Sequence, residues 1–323
     1  MAKVSNTFVE FDAVGNREDL SDMIYDVSPY ETPVLSAIKK KKAKAVLHEW
    51  QQDTLAAAAA NAQVEGDDAL NSGMTNNAIT PTTRLSNYTQ ILRKVNQVSG
   101  TQDTGVDKAG RSKEMAYQMA RRMKEIKTDL EWAILNGGAA IGNAKVADGD
   151  GATAREMGSL QTYLTTNVSV GATGAASAGN GAVMTGGTDR DLTEALLTAV
   201  LADCFTNGAD PKLLVCSATN KGVVSTFTGG GTRYVDTDDK KLVNSIDVYV
   251  GDFHTLKVVP SRQTIGDNVY LIDPEYLAVA DLRPLHSKDL ATTGDNTKKA
   301  LIWETTLEVC SQKAHGLIAD TNG

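Results

Sequence analysis

The sequence predicts an α+β fold, because one long amphipathic helix and a series of strand patterns occupy separate parts of the chain. Apolar residues recur at three- and four-residue steps between Met115 and Ile134, which indicates a helix. The stretch from Val46 to Gln51 has the period of two typical of a strand, and sheet-like runs dominate after residue 246. With 323 residues, the chain is long enough for one large core or two modest cores.

The composition, 41% hydrophobic and 22% charged, is that of a soluble globular protein. No run approaches about 18 apolar residues and no secretory signal follows Met1, so we expect no membrane span and a protein kept in a cytoplasm. The net charge of −8 argues against a dedicated nucleic-acid binder, which would carry an excess of basic residues. The cysteines lack paired spacing and are expected to be reduced, buried thiols: Cys204, Cys216 and Cys310.

The first element is an apolar arm that two prolines interrupt. Pro29 and Pro33 each fix their own φ and push the preceding residue toward extended geometry, so no long helix or central strand can run through them. A short helix from about Leu20 to Asp26 can precede them. Because the arm is too apolar to stay in solvent, we expect it to be buried on another surface, often a neighbouring subunit. The basic run 39–42 that follows could contact nucleic acid, remain solvated or neutralise acidic groups on a neighbour.

The second element is a long protruding hairpin. Its two predicted strands, 46–51 and 85–98, flank a polar segment that includes the acidic stretch Glu65–Asp68. Such a hairpin is marginal alone and needs a surface to lie on. His48 and Glu49 are adjacent, but neighbours on a strand point to opposite faces, so we do not expect them to form an acid–base pair.

The third element is the long helix, predicted over about 112–136 with Ser112 as its cap and Gly137 and Gly138 after its end. Its apolar stripe is expected to be core: Met115, Met119, Met123, Ile126, Leu130 and Ile134. The opposite face carries the charges: Lys113, Arg121, Arg122, Lys124, Lys127, Asp129 and Glu131.

The remaining chain alternates loops, two shorter helices and strands. Residues 139–154 are predicted to be turns and residues 171–187 a flexible loop. The first predicted helix begins near residue 188 and has on one face Leu192, Leu196, Leu197, Val200 and Leu201. The second spans 218–227. The predicted strands are 212–216, a hairpin of 246–250 with 255–259, a second hairpin of 268–272 with 277–281, and 301–310.

A search for chemistry along the sequence finds no catalytic, cofactor-binding or metal-ligating constellation. None of the four histidines has a His, Cys or carboxylate partner at metal-ligand spacing. The chain also lacks a nucleophile elbow, a phosphate-binding loop with its lysine and a dinucleotide fingerprint. We therefore predict a structural protein with no cofactor.

Three short motifs in order, SPYETP (28–33), KKKKAKA (39–45) and HEWQ (48–51), resemble the start of tailed-phage major capsid proteins of the HK97-like fold, in the SU10-like branch. Further matching stretches, Asn87–Gln90 and Leu271–Tyr276 among them, follow in the same order along nearly the whole chain. The resemblance implies an amino-terminal arm (1–43), an extended loop (44–99), a peripheral domain (100–157 and 291–323) with a spine helix, and an axial domain (158–290).

The resemblance also implies a function. A subunit of this family would self-assemble into hexamers and pentamers of an icosahedral head that encloses a double-stranded DNA phage genome. Its partners would be other copies, a separate scaffolding protein, a portal, in some cases a decoration protein, and packaged DNA contacted without sequence specificity. The protein would assemble in the bacterial cytoplasm, pass through procapsid maturation and end in the virion. Because only about forty residues precede the hairpin, we expect no attached scaffolding domain and no processing of the amino terminus.

The residues expected at contacts between subunits lie in the arm, the hairpin and the spine: Tyr30, Pro33, Lys39, Lys40, Lys41, Lys42, Trp50, Glu65, Asp67, Asp68, Arg121 and Arg122. Two other functional classes stay open on sequence alone. An encapsulin-like compartment would contain protein cargo instead of DNA, and a hydrolase or tail component would show an activity that one substitution abolishes.

The extended loop also bears on how a shell would be held together. Some HK97-like capsids join subunits by an isopeptide bond between a loop lysine and an asparagine. Residues 45–93 contain no lysine, and their acids outnumber their arginines. We therefore expect this loop to bind its neighbour without a covalent bond.

Overall fold

The computed structural model describes residues 5–14, 22–28, 30–58, 60, 62, 65–66, 81–147, 151–227, 247–265 and 268–322. Its α-helices are α1 (Pro33–Ala37), α2 (Glu114–Leu135), α3 (Glu194–Thr206) and α4 (Ala218–Val224). Its first strands are β1 (Lys39–Lys42), β2 (Leu47–Gln52), β3 (Thr83–Tyr88), β4 (Gln90–Ser99), β5 (Val168–Ser169) and β6 (Leu213–Cys216). The later strands are β7 (Val248–Val250), β8 (Thr255–Pro260), β9 (Val269–Ile272), β10 (Leu277–Asp289), β11 (Asn296–Val309) and β12 (Gly316–Ile318). The predicted α+β class is confirmed.

A four-stranded sheet in the order β1-β10-β11-β4 forms the long axis of the fold. Strands β10 and β11 pair antiparallel, β4 pairs antiparallel with β11, and β1 joins the other edge parallel to β10. Helix α2 packs against this sheet. Core side chains from the helix and from both long strands, including Ile126, Leu277 and Leu307, belong to one buried cluster.

The predicted spine helix is confirmed over Glu114–Leu135, with three corrections. Ser112 does not cap it: Met115 N donates instead to Asp103 Oδ1 at 3.0 Å, because a π-helical turn places that carboxylate beside the helix start. The stripe is buried except at Met123, which is 42% exposed, whereas Glu131, assigned to the charged face, is fully buried. Segments outside the helix cover Glu131, and helical periodicity alone cannot reveal them.

A six-stranded sheet in the order β5-β12-β9-β6-β8-β7 forms the second layer, with α3 packed against it. The predicted buried strand near residue 213 is β6, with four buried residues, and the predicted hairpin of 246–250 with 255–259 is confirmed as β7 and β8. The first predicted helix in this region begins at Glu194, later than expected, because Thr193 Oγ1 accepts from Leu196 N and caps it.

The second predicted hairpin is wrong. Strand β9 pairs with β6 and β12 in the six-stranded sheet, while β10 pairs with β1 and β11 in the other. The chain changes sheet at the 3₁₀ turn Pro274–Tyr276, which Asp273 caps by accepting from Glu275 N at 3.0 Å. A proline turn between two strands therefore redirects the chain here instead of closing a hairpin.

The predicted extended hairpin is confirmed at its base. Strands β2 and β3 pair antiparallel, from Leu47 with Tyr88 to Gln52 with Thr83. The predicted second strand is interrupted at Thr89, so only residues 83–88 belong to the hairpin and β4 continues into the four-stranded sheet. The acidic residues Asp67 and Asp68 lie outside the described residues.

Candidate assembly site: the arm and the base of the hairpin

Residues 33–43, here called the attached arm, fold against the subunit's own core. Pro33 is the first residue of α1, where its missing N–H is not needed. Val34 is fully buried, and Leu35 and Ile38 are each 7% exposed, within the same cluster as α2. Strand β1 then pairs with β10, and Ala43 N donates to Asp281 O at 2.9 Å. This half of the arm is therefore part of the folded body.

Glu131 on α2 holds the start of α1. Its Oε2 accepts from Leu35 N at 3.1 Å, and its Oε1 accepts from Ser261 Oγ at 3.2 Å. Burial raises the pKa of Glu131 to about 7, although both hydrogen bonds act to lower it. One carboxylate thus joins the arm, the spine helix and the segment that follows β8.

Glu308 on β11 holds the end of the attached arm and the start of the hairpin. Lys41 Nζ lies 2.7 Å from Glu308 Oε1, and His48 Nε2 lies 3.0 Å from Glu308 Oε2. Burial alone would raise the pKa of Glu308, but the hydrogen bonds from His48 and Lys41 and the lysine charge lower it to about 2. The carboxylate is therefore ionised at neutral pH and binds two separate elements to the sheet.

A second carboxylate on β11, Glu304, holds the other end of the hairpin. It forms ion pairs with Arg155 and Arg283, and it accepts from Thr89 Oγ1 at 3.2 Å, at the break between β3 and β4. Burial acts to raise the pKa of Glu304, but the hydrogen bond and charge of Arg283 and the charge of Arg155 bring it below the ordinary value.

The fully buried Asn87 completes the base of the hairpin. Its Nδ2 donates to Leu307 O at 2.9 Å, and its Oδ1 accepts from Gly158 N at 2.9 Å. The base of the hairpin is thus fixed to the body by charged and uncharged hydrogen bonds.

Residues 5–14, 22–28 and 30–32, here called the outer arm, contrast with the attached arm. Apart from one 3₁₀ turn at Glu10–Asp12, they contain no helix or strand, so the helix considered near residues 20–26 is absent from the described part. Large apolar side chains lie in solvent: Phe8 is 74% exposed, Phe11 99% and Tyr25 81%. Apolar surface of this kind on an extended segment marks a contact with another molecule.

The outer arm passes close to the body at two points. Gly110 has a φ of +72°, and a Cβ there would lie 2.5 Å from Asp22 O, so a side chain at this position would both strain the backbone and displace the arm. The Tyr30 ring, 55% exposed overall, has Lys124 Nζ 4.3 Å from its centroid. An exposed cation–π contact contributes only about 0.5–1 kcal/mol. The arm therefore approaches the body here while most of its surface stays exposed.

The structure places the predicted lysines on β1. Lys39, Lys40 and Lys42 are exposed, and Lys41 pairs with Glu308 of its own chain. Lys41 thus neutralises an acid of its own subunit, whereas contact of the run with nucleic acid or with acidic groups on a neighbour stays a prediction. The other three present a positive strand edge to solvent.

Some of the remaining predicted contact residues are exposed, and others already contact residues of their own subunit. Trp50 is 8% exposed and packs against Tyr163, with ring centroids 5.8 Å apart, so it is a core residue of its own subunit. Glu65 is exposed. Arg121 is exposed and lies over Tyr117, whereas Arg122 pairs with neighbouring residues: its Nη1 with Glu125 and its Nε with Asn96.

The sequence analysis missed the three carboxylates that organise this region. Glu304 and Glu308 lie in the buried, carboxyl-terminal part of β11 among apolar and threonine side chains, and a carboxylate in a buried strand requires a partner. That signal was present in the sequence and could have been used. For Glu131 no comparable signal exists, because its position on the helix face is that of a solvated residue.

The described part of the chain offers no sign of a metal centre or of a membrane helix. No three His, Cys, Asp or Glu side chains in that part are grouped so that they could hold a metal ion. No helix there is long and apolar enough to cross a membrane.

The fold resembles solved structures of phage capsid subunits over nearly its full length. A structure of the cyanophage A-1(L) capsid asymmetric unit matches with a TM-score of 0.66 at 15% identity, over 95% of this chain and 98% of that chain. A structure of the major capsid proteins and decoration proteins of phage G matches with a TM-score of 0.54 at 12% identity, over 99% of each chain. The chain therefore has the HK97-like fold of tailed-phage capsid proteins.

The sequence comparison identifies the family. The chain belongs to the SU10 major capsid protein family, whose profile matches residues 3–322. A curated relative, the major capsid protein of Escherichia phage Phieco32, is 40% identical over 133 residues. That match covers 41% of this chain and 36% of the relative, so the chain aligns with about a third of that protein's length. The family is one of structural proteins and not of enzymes.

Proposed function

We propose that this chain is the coat subunit of a tailed-phage head, assembling as hexamers and pentamers into an icosahedral shell around double-stranded DNA. The observation that carries the proposal is the outer arm, which exposes several large apolar side chains along one extended segment. A second copy of the chain is the partner that best fits such a segment in a member of a capsid protein family.

The outer arm and the extended hairpin would make the contacts between copies. Tyr30, the exposed lysines of β1, the acidic hairpin residues and Arg121 are the side chains proposed for these contacts. An exposed ion pair contributes only about 0–1 kcal/mol, so the strength of the shell would come from apolar burial and from the repetition of the contact in many copies.

Electron microscopy of the purified protein tests the proposal directly. Hexamers, pentamers or closed icosahedral shells are the expected result, and particles from infected cells should contain DNA. A monomer that remains dispersed under all assembly conditions would overturn it. Shells that contain protein cargo and no nucleic acid would favour an encapsulin-like compartment.

We also propose that the hairpin joins neighbouring subunits without a covalent bond, because residues 45–93 carry no lysine to act as the amine nucleophile. Boiled capsids on a denaturing gel should give one band at the subunit mass of 34.3 kDa. A ladder of covalent oligomers that survives a reductant would contradict this.

Assembly of the shell would also involve other proteins and the packaged genome. A separate scaffolding protein would set the size of the shell, a portal would occupy one vertex, and packaged DNA would be contacted weakly through basic groups. A decoration protein is proposed by analogy with the phage G structure, in which such proteins accompany the capsid subunits. Co-expression with candidate scaffolding proteins, scored by the uniformity of the shells, tests the first of these proposals.

A further inference from the structure

A lysine, a cysteine and a carboxylate meet where the attached arm crosses the end of the last long strand. Lys41 Nζ lies 3.3 Å from Cys310 Sγ and 2.7 Å from Glu308 Oε1. Cys310 Sγ lies 3.4 Å from the same carboxylate oxygen. An amine and a thiol thus approach each other to within van der Waals contact, although they are far apart in the sequence.

Of the three cysteines, Cys310 has a different environment from the other two. Burial raises the thiol pKa of all three, but Cys204 and Cys216 are fully buried among apolar residues. Cys310 is only partly buried, and the side chain of its neighbour Lys41 is 43% exposed, so a small oxidant can reach the pair.

The backbone fixes both partners. Lys41 is held in β1 opposite Ala280, and Cys310 N donates to Tyr276 O at 2.9 Å. Glu308 further holds the lysine nitrogen beside the sulfur. The two atoms therefore lie close enough for a single bridging atom to join them after a small side-chain shift.

We propose that Lys41 and Cys310 are a site of oxidative modification, at which dioxygen converts the amine and the thiol into an N–O–S bridge. The ammonium group first releases a proton to solvent. The neutral amine, the thiol and one dioxygen molecule then give Lys–NH–O–S–Cys and one water. The amine loses one hydrogen and the thiol loses one, both of which leave in the water. One oxygen atom forms the N–O and O–S bonds, and the four electrons released by nitrogen and sulfur reduce dioxygen.

The bridge would join the attached arm covalently to β11 within one subunit. In the reducing cytoplasm of a host the pair would remain open, so the arm could still rearrange during assembly. After release into an aerobic medium the bridge would form and prevent the arm from leaving the sheet. Because it lies within one chain, it adds no covalent oligomer to a denaturing gel, so its test is independent of the test for bonds between subunits.

Intact-mass spectrometry of the full-length protein tests the proposal. Protein incubated in oxygen-saturated buffer and then denatured should gain about 14 Da, one oxygen added and two hydrogens lost, and a thiol reductant should reverse the gain. Lys41→Arg and Cys310→Ser should each abolish the gain. Lys40→Arg, on the neighbouring residue that points to the opposite face of the strand, should retain it.

Peptide mapping separates the bridge from ordinary oxidation. The expected product is one cross-linked peptide that contains Lys41 and Cys310, with a matching loss of one titratable thiol. An unchanged mass, a gain of whole oxygen atoms at Cys310 alone, or a shift that persists in Lys41→Arg would overturn the proposal. A loss of about 2 Da, the mark of a direct S–N bond, would also overturn the oxygen bridge.

Discussion

The attached arm and the outer arm both carry large apolar side chains, yet they differ in their surroundings. The attached arm buries Val34, Leu35 and Ile38 in the core and adds a strand to the main sheet. The outer arm leaves Phe11 and Tyr25 largely exposed and approaches the body near Gly110 and Lys124.

The difference shows that apolar sequence alone does not determine where a segment is buried. The attached arm has three partners in its own subunit: the core beside α2, the carboxylates of Glu131 and Glu308, and the open edge of β10. The outer arm leaves large apolar side chains in solvent. Its apolar side chains are therefore available to another copy, and we regard the first half of the arm as an assembly element and the second half as part of the fold.

The largest expected effect comes from removing the apolar side chains of the outer arm. Replacing Phe8, Phe11, Tyr25 and Val27 together by serine should abolish shell formation, because these exposed side chains supply apolar area to the neighbour. The melting temperature of the unassembled subunit should not change. Light scattering measures shell formation, and calorimetry measures the melting temperature. A normal yield of shells from this variant would show that the outer arm is not an assembly element.

A matched pair of truncations compares the two halves within the isolated subunit. Leu35→Ala, in the buried half, should lower the free energy of unfolding by about 2–5 kcal/mol, because it leaves a cavity in the core. Val27→Ala, in the exposed half, should change it by less than about 0.5 kcal/mol. Urea denaturation measures both, and equal losses would show that the outer arm is also packed on its own subunit.

Acid should weaken the hold of Glu308 on the attached arm. An ordinary glutamate has a pKa near 4.3, and that of Glu308 is lowered to about 2, so its contribution of about 3 kcal/mol is complete above pH ~4.3 and is lost as the pH falls toward 2. Glu308→Gln has no ionisable group at this position and should lack this pH-dependent contribution to the free energy of unfolding. The free energy of unfolding of the two proteins, measured between pH 2 and 6 (about the range of the two pKa values), should converge at the acid end. If the free energies of unfolding of the two proteins differed by the same amount at every pH in this range, ionised Glu308 would not be the stabilising group.

The smallest effect is expected at Tyr30, where the outer arm crosses the spine helix. Tyr30→Ala removes an exposed cation–π contact with Lys124 and should cost the isolated subunit no more than about 1 kcal/mol. Lys124→Ala should cost a similar amount, and the double variant should show little further loss. Urea denaturation of the three variants forms a double-mutant cycle that measures the contact.

Local patterns predicted much of the fold. The periodicity from Met115 to Ile134 located the spine helix, and the alternation near Trp50 located the hairpin, because both elements have one face on the core. The pairing of β9 and β10 with strands of different sheets could not be predicted, since sheet membership depends on contacts between residues distant in sequence. The break at Thr89 likewise reflects its hydrogen bond to Glu304, on the last long strand.

The candidate site was predicted less well than the fold. The sequence correctly marked the arm as apolar and interrupted, but it could not separate the buried half from the exposed half. Lys41 was grouped with three similar lysines, and only the register of β1 shows that it alone reaches Glu308. The burial of Glu131 depends on a helix and a loop that meet over it, which no local pattern encodes.

Amide hydrogen exchange, followed by mass spectrometry on unassembled subunits and on closed shells, tests the division of the arm most directly. Peptides of the attached arm and of α2 should be protected in both states, because their hydrogen bonds lie within the subunit. Peptides covering residues 22–28 and 30–32 should exchange rapidly in the subunit and become protected in the shell. Protection of these peptides in the unassembled subunit, or rapid exchange in the shell, would contradict the account.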